Sequence, residues 1–292
     1  VPFAVQNLST SNLDTSPNWW GSAAGPAVGA VVGDVTYAPW CGDAECSFLV
    51  YPADPTNLQA SINNTPDGAT LYVPSSPTPP DTGGFVINKP LTIILGDGVV
   101  IQNNSPCFTV NADNVTITSE TIGGAVCMPT NGSDGIVVNA GVSGVRIVGL
   151  EITGIDPETE EDLSTGDGIH FNGAITNFQI VNNYIHDLDG DGIEFTAQPT
   201  GTVMEIQGNL FQNNGGLGVN NYAGTADINA EYNSWGDIDG AAGTNGDGIS
   251  AHVDADPWTH VDLYMTATPW ADKAANGKQF TVTVKANLKN VY

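Results

Sequence analysis

The chain has 292 residues, and its 32 acidic side chains against 6 basic ones give a formal net charge of -26. Such a surface repels nucleic acid, anionic lipid and polyuronate substrates. With only Lys89 and Arg146 as cations before residue 273, it also excludes from most of the chain any mechanism that needs a cationic cluster. No apolar run approaches the roughly 18 residues of a helical membrane span, so no membrane insertion is expected.

In chain order, the first feature is a duplication. NWWGSAAGPAVGAVVGDVTYAPW at 18–40 returns as NSWGDIDGAAGTNGDGISAHVDADPW at 233–258. The match aligns Trp20 with Trp235 and Trp40 with Trp258, with Pro39 and Pro257 ahead of the second tryptophan of each pair. Next come the cysteines. Cys41, Cys46, Cys107 and Cys127 form no C-x-x-C pair and no zinc spacing. An even count in a lysine-poor, Asn/Gly/Thr-rich chain predicts disulfides in an oxidising, extracellular or cell-surface setting. Residues 55–64 read as a short amphipathic helix, with Leu58 and Ile62 one turn apart.

From residue 69 onward the chain is a series of strand-length runs, ATLYV, LTIIL, FTVNADNVTITSE, GVRIVGLEIT, FQIVNNYIH and VMEIQGNLF, separated by Gly, Asn and Asp. Their spacing is the informative part. DGIVV (134–138), DGIHF (167–171), DGIEF (191–195) and LGVNN (217–221) recur, and FQIVNNYI (178–185) recurs as MEIQGNLF (204–211). A period in the twenties, with two or three short strands each, is one coil of a parallel β-helix whose coils stack about 4.8 Å apart. On that stacking Cys107 and Cys127 fall one coil apart and Cys41 and Cys46 flank a tight loop, which predicts the pairs 41–46 and 107–127.

LQASINNTPDGATLYVP followed by FVINKPLTIILGDGVVIQ, with the later N-x-Y-I and D-G-I runs, resembles the opening and repeat of pectate-lyase-like right-handed parallel β-helix proteins. The N-x-W-G…P-W pattern is similar to the closing segment of such domains. The tail, TPWADKAANGKQFTVTVKANLKNVY, resembles the first strand of cohesin-like, immunoglobulin-type domains. The expected fold is therefore all-β, a right-handed single-stranded solenoid with an N-terminal capping segment and a C-terminal strand extension. Its expected parts are a segment at 1–47 like the end of a preceding β-helix, the β-helix proper at 48–262, and a linker with one unpaired strand at 263–292.

Three chemistries compete for the acidic turns. Stacking puts Asp134, Asp167 and Asp191 in one column and Val137, His170, Glu194 and Asn220 in the next, so that Asp167, His170, Asp189, Asp191 and Glu194, with His186, could share a face as the site of a glycoside hydrolase or polysaccharide lyase. Against this, a catalytic residue need not recur whereas an Asx turn should. The polygalacturonase motifs, paired aspartates with Gly-His-Gly and Arg-x-Lys, are absent. The spacing of Asp187, Asp189 and Asp191 matches the start of a Ca2+ loop, with Gln198 where its glutamate belongs, and Asp237, Asp239 and Asp247 form a looser second candidate. Tyr184, Phe211 and Tyr222 are candidate stacking surfaces for glycans. The expectation that fits most of these features is a non-catalytic structural or adhesive module. Its expected partners are copies of itself or adjacent domains of a longer chain, in a head-to-tail array.

Overall fold

The computed structural model describes residues 4–54, 56–75, 84–155, 162–163, 165–237, 239–266 and 283–291, with backbone alone beyond Thr259. The acidic run at 156–161 and the linker at 267–282 lie outside the described residues.

The body is a β-solenoid of about nine turns. Three sheets run along it: one of ten strands ending at Val253–Asp254, one of six from Phe85–Ile87 to Val219–Asn221, and one of five from Val100–Asn103 to Leu210–Gln212. The repeat aligns in register as the spacing predicts. Ile136 pairs with Ile169, Ile169 with Ile193 and Ile193 with Val219, while Phe178 pairs with Met204 and Ile185 with Phe211. Alternation turns every second residue inward, so identical side chains stack into columns along the axis. Phe171 lies face to face with Phe195 at 4.5 Å and 3°, and Phe178 packs 5.2 Å from Phe195. All three are buried.

One end of this stack is closed by the helix Leu58–Asn64. It begins three residues later than expected because Asn57 is its N-cap, accepting from the Ala60 N–H at 3.2 Å. Leu58 and Ile62 face the core. Lys89, one of two cations in the body, reaches the last turn of the helix, donating from Nζ to the carbonyls of Asn63 at 2.7 Å and Thr65.

Both disulfides form as predicted, with Cα separations of 4.6 Å for Cys41–Cys46 and 6.1 Å for Cys107–Cys127. The two halves of the second are not directly above one another: Cys127 stacks over Ile101, and the bridge crosses the corner to reach Cys107.

The duplication is structural as well as sequential. Leu13 and Asp14 pair in parallel with Val35 and Thr36, as Ile228 and Asn229 pair with Val253 and Asp254. Gly21 and Gly25 hold φ of 88° and 85°, and Gly236 and Gly240 hold 78° and 70°. A Cβ on Gly25 would lie 2.7 Å from the Trp40 ring, and one on Gly240 would lie 2.7 Å from the Trp258 ring. Both tryptophans follow a cis proline. Residues 5–41 and 219–259 are thus two copies of one closing coil, with Val5 opposite Val31 as Val219 is opposite Ile249.

The tail departs from expectation. Thr283–Val291 is not an unpaired strand: it runs antiparallel to Trp258–Thr266, from Trp258 opposite Val291 to Thr266 opposite Thr283. The expected boundary at 262 and 263 falls inside the first strand of this hairpin.

Candidate functional site

The aspartate that opens each D-G-I run sits at the corner before an inward-facing isoleucine. There it reaches the next coil: Asp134 Oδ1 accepts from the Asp167 N–H at 2.9 Å, Asp167 Oδ1 from the Asp191 N–H at 2.7 Å, and Asp191 Oδ1 from the Leu217 N–H at 2.5 Å. One carboxylate oxygen of each aspartate is therefore committed to joining coils. The glycine after it is needed for space, since a Cβ on Gly168 would lie 2.6 Å from the Gly192 carbonyl oxygen.

The second oxygen of Asp167 faces His170 three positions on, whereas those of Asp134 and Asp191 face outward residues of the next coil, His170 and Asn220. His170 Nδ1 lies 2.9 Å from Asp167 Oδ2, 2.9 Å from Glu194 Oε2 and 4.0 Å from Asp134 Oδ2. Asp191 Oδ2 accepts from Asn220 Nδ2 at 2.8 Å. The cluster is half-buried, and its charges rearrange accordingly. The hydrogen bond to Asp167 raises the His170 pKa against the opposing effect of burial, helped by Asp134 and Glu194. Burial pushes Glu194 up to about 7, with the hydrogen bond to Asp167 adding to it. Burial also acts upward on Asp167, but bonds to His170, the Asp191 N–H and Glu194 outweigh it and hold the group below the usual range. Asp134 is raised, chiefly by burial.

A second histidine forms its own cluster. His186 meets Asp187 Oδ2 through Nδ1 at 2.7 Å and Glu151 Oε1 through Nε2 at 3.2 Å, and it stacks on Tyr184 at 3.7 Å. Burial works against its charge, yet the two carboxylate contacts prevail and its pKa is raised.

The predicted face therefore divides. Asp167, His170 and Glu194 come together, joined by Asp134. Asp191 is directed at Asn220, Asp189 is tied through its backbone N–H to Thr165 Oγ1 at 3.0 Å, and His186 belongs to the other cluster. The predicted Ca2+ ligands take different partners: Asp187 takes His186 and Asn213, and Asp191 takes Leu217 and Asn220. Asp237 accepts from the N–H groups of Asp239 and Asn245, whereas Asp247 is buried against Asn214. Among the described residues, the group whose ligand atoms all lie within 4.8 Å of one another is Asp134, Asp167 and His170. Phe211 is corrected as a glycan surface, because it is fully buried and stacked 4.9 Å from Trp235. Tyr184 donates to Gln212 Oε1 at 3.0 Å, and Tyr222 is exposed.

Sequence reasoning missed two sets of residues. Glu151 lies opposite Tyr184 in the strand Glu151–Thr153, two positions before the residue that pairs with His186, so it reaches the histidine diagonally across the ladder. The amides Asn183, Asn209 and Asn233 form a buried ladder: Asn209 Oδ1 accepts from the N–H and Nδ2 of Asn183, both at 2.9 Å, and Asn233 Oδ1 does the same for Asn209 at 2.8 and 3.0 Å. Their recurrence at 26 and 24 residues was the available signal.

The raised groups set a pH dependence. For His170 and His186, the extra stability is fully present below the unfolded histidine value and fades as pH rises through their higher folded values. Glu194 and Asp247, with folded values of about 7 and about 6, also favour the protonated folded state, so their contribution shrinks as pH rises through those values. The expected result is a melting temperature higher at pH 5 than at pH 8, with the difference reduced in Glu194→Gln. Calorimetry across that range checks it, and a melting temperature that rises toward pH 8 would contradict it.

No family model, curated protein or solved structure matches this chain.

Proposed function

We propose that this protein is a structural or adhesive β-helix module of an extracellular assembly rather than an enzyme. The observation that carries the reading is the aspartate ladder. Two of the residues that would be catalytic in a carbohydrate-active site, Asp167 and Asp191, instead hold each coil to the next through Oδ1, as Asp134 does. Their recurrence then has a structural cause, which a catalytic role does not provide. Asp167 Oδ2 and Glu194 Oε2 also both lie 2.9 Å from His170 Nδ1, so the histidine bridges the pair. A hollow of about 330 Å3 lies beside the capping helix, lined by Tyr51, Asp54, Asn57 and Ser61 among others, away from the carboxylates. Two disulfides support an oxidising location, and no helix among the described residues is long and apolar enough to cross a membrane. The likeness to pectate-lyase-like repeats and to cohesin-like domains agrees with a secreted chain of several units.

One observation favours the enzymatic alternative. Asp167 is held low while Glu194 is raised to about 7, and such a split marks an acid and a base. A pair of variants separates the readings. Asp167→Asn keeps an oxygen for the Asp191 N–H, while Asp167→Ala leaves that donor without its partner at a cost of about 1–3 kcal/mol. In the structural reading only the alanine variant loses that stability in urea unfolding, and the parent releases no reducing sugar from a panel of neutral and acidic polysaccharides. Sugar release by the parent that Asp167→Asn abolishes would establish the enzyme instead.

A further inference from the structure

The two copies of the closing coil differ in what they cover. In the second copy Val219, Ile228 and Trp235 are fully buried, and Trp235 stacks on Phe211 of the preceding coil. The aligned residues of the first copy are open: Val5 and Trp20 are partly exposed and Leu13 is 42% exposed. Leu8, Trp19 and Val28 add further exposed apolar surface to the same segment.

The backbone bonds internal to the two coils match. Leu13 donates to the Asp34 carbonyl at 2.9 Å as Ile228 donates to that of His252 at 3.0 Å, and Thr15 donates to Thr36 as Ala230 donates to Asp254, both at 2.7 Å. Cys41 donates to the Asn18 carbonyl at 3.1 Å as Thr259 donates to that of Asn233 at 2.9 Å. The first copy is thus already formed, without a coil against its inner face.

The asparagine ladder names what fits there. Asn233 Nδ2 donates to the Ala230 carbonyl at 2.7 Å, which leaves Oδ1 to receive the N–H and Nδ2 of Asn209. Asn18 Nδ2 makes the same internal bond, to the Thr15 carbonyl. Asn18 itself is exposed, so its Oδ1 stands where a neighbouring coil's asparagine would donate.

We infer that the inner face of residues 5–41 is a docking surface for the end coil of a second parallel β-helix unit. That coil would present an inward aromatic ring to Trp20, an aliphatic side chain to Leu13 and a ladder asparagine to Asn18. The template is the contact this chain makes with itself, in which the identical coil sits on the coil carrying Asn209 and Phe211. The geometry is heterologous, joining unlike ends of two units, so it extends a stack in one direction. The inference adds a partner to the structural reading but rests on the duplicated coil alone, so a chain found to cleave polysaccharide would leave it untouched.

The test is a lengthened chain with residues 48–218 joined directly ahead of Val5, so that Gly218 runs into the first closing coil as it normally runs into Val219 of the second. Amide exchange over residues 5–20, followed by mass spectrometry, is compared with the parent chain. Docking slows exchange there by at least about tenfold, and Leu13→Asp in the lengthened chain restores the parent rate. Parent-rate exchange at 5–20 beside protected added coils overturns the inference. So does protection of 5–20 in the parent alone that disappears on dilution, since a second copy would then be the occupant. If the added coils are themselves unprotected, a second variant decides: the parent chain with residues 219–258 replaced by 5–40. Cooperative unfolding within a few degrees of the parent supports the inference, and loss of the transition overturns it.

Discussion

Asn209→Ala is expected to destabilise the chain by roughly 2–6 kcal/mol, the sum of about 1–3 for each of the two Asn183 donors left without their acceptor. Asn209 is 1% exposed. Its Oδ1 takes both the backbone N–H and Nδ2 of Asn183, and its Nδ2 serves the Ile180 carbonyl at 2.8 Å and Asn233 Oδ1 at 3.0 Å. Alanine removes every one of these side-chain atoms and leaves a space too enclosed for the coil corners to hydrate freely. Asn229→Ala is the control, because that exposed side chain accepts, among the described residues, from the Glu231 N–H alone, at 3.1 Å. It should cost no more than about 0.5–1 kcal/mol. The urea midpoints of both variants measure the contrast, and equal losses would show that the ladder carries no special weight.

Phe195→Ala should cost about 3–5 kcal/mol through the cavity it opens. Its ring is fully buried, stacked on Phe171 at 4.5 Å and tilted against Phe178 at 5.2 Å. Parallel strands on either side hold the three rings in columns, so neighbouring coils cannot close the gap without losing register. Phe195→Leu keeps most of the volume and should lose under about 1.5 kcal/mol. A solenoid coil is stabilised mainly by its immediate neighbours. Amide exchange in the alanine variant should therefore accelerate most around residues 169–221. Uniform acceleration across the whole chain would mean instead that the stack unfolds as one unit.

The fold was legible because its signal is redundant. Four D-G-I or L-G-V runs recur at intervals of 33, 24 and 26 residues and NNYI returns as GNLF 26 residues later, and the inward isoleucines align in the register that these imply. The disulfides followed from that period, although its detail was too simple: Cys127 sits over Ile101, and the bridge turns a corner. The tail was read as a lone strand since nothing local in 258–266 announces an antiparallel partner beyond the linker.

The site was only half legible. Column membership follows from spacing, so the meeting of Asp167, His170 and Glu194 could be anticipated. The separation of His186 and Glu151 from that cluster could not, because it depends on which sheet each strand joins: His170 lies in the six-stranded sheet, Glu151 and His186 in the five-stranded one. Coil lengths of 33, 24 and 26 residues show that turns expand and contract while the strands stay in register, and corner positions shift with them.

By itself, then, the sequence determined the period, the inward columns, the cysteine pairs and the duplicated closing coil, since each is written as a repeated residue at a repeated interval. Only the tertiary structure decided which oxygen of an aspartate serves the backbone and which faces a histidine, that Phe211 is core, and that one closing coil is covered while its duplicate is open. These depend on contacts between coils, where direction and burial arise from stacking rather than from any local preference of the chain.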